Sequence, residues 1–193
     1  MTLLEHDRQA VLLTVELAEQ AGPADADRPT PCAGWHLTKL MAHLASQQVG
    51  FAAAARGTGA DLRAWGPTDL GYRQAAADAL AAFAEPGLAE RRFDLPEIRS
   101  GGGFPARMAV SFHFLDNVVH AWDLAVTLGR PVPVPDELAR AALPIARAVP
   151  TGASRSQSGA AFAPDLPVPD EASAMEEILL LLGRDPAWRP PAA

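Results

Sequence analysis

The stretch from His113 to Leu124 decides the fold that this sequence predicts; its residues are His-Phe-Leu-Asp-Asn-Val-Val-His-Ala-Trp-Asp-Leu. Its imidazole and carboxylate side chains follow one another at steps of three, four and three residues, as His113, Asp116, His120 and Asp123. Such steps place side chains on one face of an α-helix. Residues four apart on a helix have Cβ atoms about 5–6 Å apart, so Asp116 and His120 can bind the same small cation. The stretch therefore predicts a helix that carries half of a metal site.

A third ligand for this cation has to come from elsewhere in the chain, and His43 is the candidate. It lies in the middle of a second amphipathic segment, residues 35–56, between Leu40 and Leu44. Those apolar neighbours put His43 near the buried stripe of the predicted helix. The sequence thus predicts a helical bundle built around a His, Asp, His metal centre.

Apolar residues at helical spacing predict the helices, and glycine and proline residues mark their ends. The predicted helices cover residues 3–21, 35–56, 68–84, 104–128, 136–148 and 170–183. We expect an irregular connection over residues 85–103, which ends in Gly101-Gly102-Gly103. No strand is predicted before these glycines and no Gly-Lys-Ser/Thr follows them, so a phosphate-binding loop is not supported. The predicted class is all-α, a single domain over residues 1–193 with the bundle in about 1–130 and a C-terminal helical extension over about 131–193.

Composition excludes several classes of function. The net charge is −7 and the isoelectric point about 5.1, the wrong sign for a protein that tracks nucleic-acid phosphates. No apolar run approaches the length that crosses a bilayer, and acidic Glu5 and Asp7 do not fit a signal peptide, so we expect a cytoplasmic protein without a membrane partner. The single cysteine, Cys32, excludes an internal disulfide and a multi-cysteine metal cluster within one chain.

Two imidazoles and one carboxylate leave open positions on a metal, which is the pattern of catalytic rather than structural zinc. The same ligands could hold ferrous iron or nickel. On the same predicted helix, His113 or Asp123 could shuttle protons or support a ligand from behind. The alternative is that Asp116 and His120 form only a hydrogen-bonded pair on a helix face, because short motifs of this kind are common without a metal.

Three parts of the chain together resemble the N-terminal domain family of mycothiol-dependent maleylpyruvate isomerase, a branch of the DinB-like superfamily. The first is Pro29-Thr-Pro-Cys-Ala-Gly-Trp35 followed by His43, and the second is Asp116-Asn-Val-Val-His120-Ala-Trp-Asp-Leu124. The third is the tail, where residues 161–169 and 182–188 resemble the closing segment of an actinobacterial subgroup of that family.

This resemblance implies a DinB-like four-helix bundle with a divalent metal, usually zinc. A histidine of the second helix and a carboxylate and histidine four apart on a later helix bind the metal in the family, and His43, Asp116 and His120 occupy those positions here. The acidic ligand in the family is often glutamate, whereas Asp116 is one methylene shorter. The isomerase also has an additional C-terminal domain, where this chain has only residues 129–193 after the fourth helix.

The leading functional hypothesis is a zinc enzyme that uses a low-molecular-weight thiol, mycothiol, in a transferase or isomerase reaction on a small electrophile. The metal would hold the cofactor thiol as a thiolate, so Cys32 need not be the nucleophile. A metal-dependent hydrolase with a bound water is the first alternative. The second is a noncatalytic metal- or ligand-binding bundle that acts through a partner. A homodimer is expected because it is the commonest assembly of soluble oligomers.

Overall fold

The computed structural model describes residues 1–99, 101–152, 155 and 161–191, and it is predominantly helical. The helices are α1 (Leu3–Ala18), α2 (Leu37–Ala55), α3 (Tyr72–Phe83), α4 (Ala106–Thr127), α5 (Asp136–Arg147) and α6 (Ala174–Leu181). Two short strands, β1 (Arg92–Phe93) and β2 (Phe104–Pro105), form one antiparallel pair. The predicted all-α class is confirmed. Among the described helices, none has the length and apolar character required to cross a membrane.

The long helix α4 forms the centre of the molecule. It packs mainly against α1 on one side and against α5 on the other, while α2 packs mainly against α3 and α5 against α6. Residues of α4 contribute to every apolar cluster of the core, including Val110, Phe114, Val118 and Leu124. Because α4 is covered on most of its circumference, most of its polar side chains are buried as well, and among the titratable residues of the opening stretch only Asp116 keeps partial exposure.

Small side chains let the helices of the bundle approach one another closely. Between Tyr72 and Phe83, the buried face of α3 consists of Ala75, Ala76, Ala79 and Ala82, which are all at most 1% exposed. They pack on α2, whose C-terminal half also presents buried alanines to the same interface. Residues without long side chains cost little conformational entropy on burial, so such an interface can be tight without ordering many rotamers.

The connection before α4 is more regular than the sequence predicts. Arg92 pairs with Pro105 and Phe93 with Phe104, so α4 begins at Ala106 rather than at Phe104. The three glycines at 101–103 all have positive φ, which glycine adopts without strain, and they belong to the connection between the two strands. Arg92 binds two of their backbone oxygens, donating to Gly102 O at 2.8 Å and to Gly103 O at 2.7 Å. A strand does precede the glycines, and their role is to shape this hairpin.

The last helix is shorter than predicted because a capping box fixes its start. The side chain of Ser173 accepts from the amide of Glu176, and the Glu176 carboxylate accepts from the amide of Ser173 at 2.8 Å. These reciprocal bonds satisfy free amides at the first turn and place the N-cap at Ser173, three residues after the predicted start at Asp170.

Gly50 of α2 lies directly under the indole of Trp65, which is held by its own Nε1 donating to Gly59 O at 2.8 Å. A methyl group at Gly50 would overlap the indole ring, so we expect Gly50→Ala to lower the free energy of unfolding in urea by about 1–3 kcal/mol. The control is Gly66→Ala, next to Trp65, where an added Cβ meets only Arg63 O at an ordinary 3.5 Å. Equal effects of the two substitutions would contradict this account of the packing.

Candidate metal centre

Helices α2 and α4 bring together the three residues that the sequence selects as metal ligands. His43, Asp116 and His120 each offer a ligand atom, and these atoms all lie within 4.8 Å of one another. His120 Nε2 is 3.3 Å from Asp116 Oδ1, and the rings of His43 and His120 have centroids 5.2 Å apart. Two nitrogen donors and a carboxylate at this spacing fit a divalent cation with open positions. Asp116 is 23% exposed, so the group can be reached from solvent.

The second ring nitrogen of His120 is bound to a different carboxylate. His120 Nδ1 lies 2.8 Å from Asp123 Oδ2, and Asp123 is completely buried. The two nitrogens of one imidazole therefore face two different acids, Asp116 on the open side and Asp123 on the buried side. A carboxylate behind a histidine in this way fixes the ring orientation and favours one tautomer.

Behind Asp123 lies Arg184, which comes from the segment after α6. Arg184 Nε donates to Asp123 Oδ1 at 3.0 Å and Arg184 Nη2 donates to Asp123 Oδ2 at 2.9 Å. Cys32 completes this corner, because its Sγ lies 3.4 Å from Asp123 Oδ2 and 3.5 Å from Arg184 Nη2. Cys32, His120 and Asp123 form a second group whose possible ligand atoms lie within 4.8 Å of one another.

Burial and charge together set the ionisation of the two acids. Burial acts to raise the pKa of Asp116, but the adjacent His120 imidazole outweighs it and holds the pKa of Asp116 below its ordinary value. Burial likewise acts to raise the pKa of Asp123, yet the charge of Arg184 and the bond from His120 bring it to about 2. Both acids are therefore carboxylates at neutral pH.

The two histidines differ in the direction of their shifts. Burial lowers the pKa of His43, which favours the neutral imidazole that binds metals. Burial also acts to lower the pKa of His120, but the carboxylate of Asp116 beside it outweighs burial and raises that pKa well above the ordinary value. A cation that binds at His120 Nε2 must therefore displace a proton, so binding is coupled to proton release.

The structure does not bring His113 into this group. Its Nδ1 lies 2.7 Å from Asp7 Oδ1 and its Nε2 lies 3.0 Å from Gln48 Oε1, in a fully buried polar cluster packed by Phe51. His113 shares a helix face with His120, but seven residues separate them along α4, about 10 Å at 1.5 Å per residue. Sequence spacing predicts on which face of a helix a histidine lies. It does not predict which side chains of neighbouring helices will contact that histidine.

The outer side of the group is formed by aromatic and basic side chains. The indole of Trp35 packs edge-on against the His43 ring, with centroids 5.1 Å apart. Lys39 Nζ lies over the same indole, 4.8 Å from its centroid. Gln47, one turn after His43 on α2, donates to Glu97 Oε2 at 2.7 Å. These contacts hold the exposed face of α2 around His43.

The sequence does not predict that Arg184 and Cys32 contact Asp123. Both lie far from α4 in the chain, and neither belongs to a spacing pattern on that helix. Both residues lie in segments that carry the family resemblance, Cys32 in residues 29–35 and Arg184 in residues 182–188. Neither segment by itself indicates a contact with Asp123.

Comparisons with known proteins match the sequence of this chain to a family. The profile of the mycothiol maleylpyruvate isomerase N-terminal domain matches residues 8–125, which include His43, Asp116, His120 and Asp123 but not Arg184. Two curated relatives are uncharacterised proteins of Mycobacterium tuberculosis, from strain CDC 1551 / Oshkosh and strain ATCC 25618 / H37Rv. Each is 32% identical over 194 residues, covering 94% of this chain and 97% of the relative. No solved structure matches the chain at a significant level.

The cluster around His113 generates a prediction about stability. His113→Leu leaves the carboxylate of Asp7, which is 1% exposed, without its imidazole partner. Because a buried polar group without a hydrogen-bonding partner is costly, we expect the free energy of unfolding to fall by about 1–3 kcal/mol.

The double variant Asp7→Leu/His113→Leu provides the control, because it also removes the carboxyl group that would lose its partner. We expect it to be more stable than His113→Leu alone when both are unfolded in urea under the same conditions. A double variant that is equally or less stable would show that the cost of His113→Leu does not come from an unpaired Asp7 carboxyl group.

Proposed function

Since this chain belongs to the mycothiol maleylpyruvate isomerase N-terminal domain family, we propose that it is a metal- and thiol-dependent enzyme. In this proposal His43, Asp116 and His120 bind one divalent metal, with zinc the first candidate and nickel or iron the alternatives. The cosubstrate is a low-molecular-weight thiol, mycothiol, and the reaction is a transfer or isomerisation of a small electrophilic molecule.

The observation that carries the proposal is the convergence of three ligand atoms from two separate helices within 4.8 Å. A pair on one helix arises often by chance, but His43 reaches Asp116 and His120 only because α2 and α4 pack in this register. A divalent cation bound there would supply a Lewis acid that holds a thiol or a water in its deprotonated form at neutral pH.

The residues of the chain divide the remaining tasks. Asp116 contributes negative charge and His43 a neutral nitrogen, while Asp123 fixes the ring of His120 from behind. In the proposal Asp123 is a supporting residue, and His113 has no part in the chemistry, since its ring nitrogens are engaged by Asp7 and Gln48. Trp35 and Lys39 lie on the outer side of His43, where a small substrate would approach.

The proposed partner follows from the net charge of the chain. A net charge of −7 disfavours nucleic acid, so the proposed partner is a small molecule. The homodimer and the cytoplasmic location stay predictions from the sequence.

The ligand assignment is tested by the metal content of purified, zinc-reloaded protein, measured by mass spectrometry. We expect about one zinc per chain in the wild type and its loss in His43→Ala, Asp116→Ala and His120→Ala, because removing a ligand from a three-ligand site leaves too few donors. The matched control is His36→Ala, an exposed histidine at the N-cap of α2 whose Nδ1 lies 2.9 Å from Asp27 O. Wild-type protein without metal, or equal loss in the control, would overturn the assignment.

The reaction class is tested by offering zinc-loaded protein a panel of small electrophiles with and without mycothiol. We expect turnover that requires the thiol and falls to the uncatalysed background in His120→Ala, because the variant lacks the site that holds the thiol deprotonated. Turnover without any thiol would instead favour the hydrolase alternative. A protein that binds zinc and turns over nothing in either condition would favour a noncatalytic bundle.

A further inference from the structure

Arg184 is delivered to the interior by a fixed turn at the end of α6. The amide of Gly183 donates to Leu180 O at 3.1 Å and the amide of Arg184 donates to Leu179 O at 2.8 Å, the pattern in which a left-handed glycine ends a helix. Gly183 has φ +74° and lies against the backbone of residues 163–164, where a Cβ would have no room. The turn therefore requires glycine, and it directs the following side chain towards α4.

The guanidinium of Arg184 binds Asp123 as a two-pronged fork and leaves that carboxylate no freedom. Asp123 Oδ1 accepts from Arg184 Nε, and Asp123 Oδ2 accepts from Arg184 Nη2 at 2.9 Å and faces His120 Nδ1 at 2.8 Å. Arg184 is itself only 9% exposed. Planar forks of this kind impose an orientation as well as charge, which a lysine cannot do.

This arrangement has a direct consequence for His120. An arginine-bound carboxylate is an acceptor only, so His120 Nδ1 must carry the proton and donate it to Asp123. The lone pair of a neutral His120 is then on Nε2, the nitrogen that lies 3.3 Å from Asp116. The tautomer that can bind a metal beside His43 and Asp116 is thus imposed from the buried side.

We propose that Arg184 is a positioning residue for the metal centre, acting through Asp123 on the orientation and tautomer of His120. The inference rests on the proposed function, because it presupposes a cation at His43, Asp116 and His120. Arg184 lies outside the family-matched residues 8–125, so the C-terminal segment completes a site whose ligands all belong to the shared domain.

A purely structural ion pair would have the same contacts but different energetics. If Arg184 only stabilises the fold, Arg184→Met lowers the free energy of unfolding but leaves the zinc affinity of the folded protein at its wild-type value. If it acts through Asp123, its effect depends on that carboxylate and disappears when the carboxylate is gone. A double-variant cycle separates the two cases, because it measures the coupling between the residues.

The experiment measures the zinc dissociation constant by chelator competition for the wild type, Arg184→Met, Asp123→Asn and the double variant Asp123→Asn/Arg184→Met. We expect Arg184→Met to bind zinc about 10–100-fold more weakly, the usual effect of losing a residue that orients a ligand. We expect the double variant to match Asp123→Asn, because Arg184 then has no carboxylate to orient. The control is Arg189→Met, an exposed arginine of the same segment, which should bind zinc as the wild type does.

Arg184→Lys covers the case in which Arg184→Met does not fold, since it keeps the positive charge while losing the fork, and it should also bind zinc more weakly than the wild type. The double variant removes both buried charges and provides a second folded background. Wild-type affinity in Arg184→Met or Arg184→Lys, or an equal further loss in the Asp123→Asn background, would overturn the positioning role while leaving the metal site intact. Wild-type protein that binds no zinc would overturn the proposed function and this inference with it.

Discussion

A fully buried carboxylate is the constraint on which the rest of this structure depends. Transferring a charge out of water is expensive unless charged and hydrogen-bonding partners surround it. Asp123 is 0% exposed near the C-terminal end of α4, and among the described residues the only arginine that contacts it comes from beyond α6. This ion pair therefore joins the segment after α6, with its glycine turn, to α4. The same carboxylate also contacts His120 Nδ1 and orients its ring.

Two histidines of α4 show how similar side chains reach different roles. At one level His113 lies between Asp7 and Gln48, so both ring nitrogens are engaged inside the core. Two turns later His120 has Asp123 behind it, but its other nitrogen faces Asp116 and the ring of His43 near solvent. A histidine whose two ring nitrogens both have buried partners serves packing and hydrogen bonding in the core. A histidine with one buried partner keeps its other nitrogen for a metal ligand bond.

The sequence predicts the class, the central helix and the candidate ligands, because helical periodicity is local and the four-residue step from Asp116 to His120 has only one geometric meaning. It does not predict that His113 contacts Asp7 and Gln48, because periodicity gives the face of a helix and not the residues that pack against each turn. The hairpin before α4 was missed because each strand has only two residues, too few to show an alternating pattern. Arg184 was missed because its partner is 61 residues away in the chain.

The Asp123–Arg184 ion pair also closes one side of the proposed site. On the inner side, Arg184, Cys32 and Asp123 fill the space behind His120, and a negative charge there is already neutralised by the guanidinium. On the outer side, Asp116 is 23% exposed, and the His43 ring packs against the rings of Trp35 and His120. A cation in the proposed site would therefore be reached from the side of Asp116, while the closed side keeps the His120 ring fixed. The two nitrogens of His120 thus have different surroundings: Nδ1 is held by Asp123, and Nε2 lies beside the partly exposed Asp116. A ligand at Nε2 would leave the contact of Nδ1 in place.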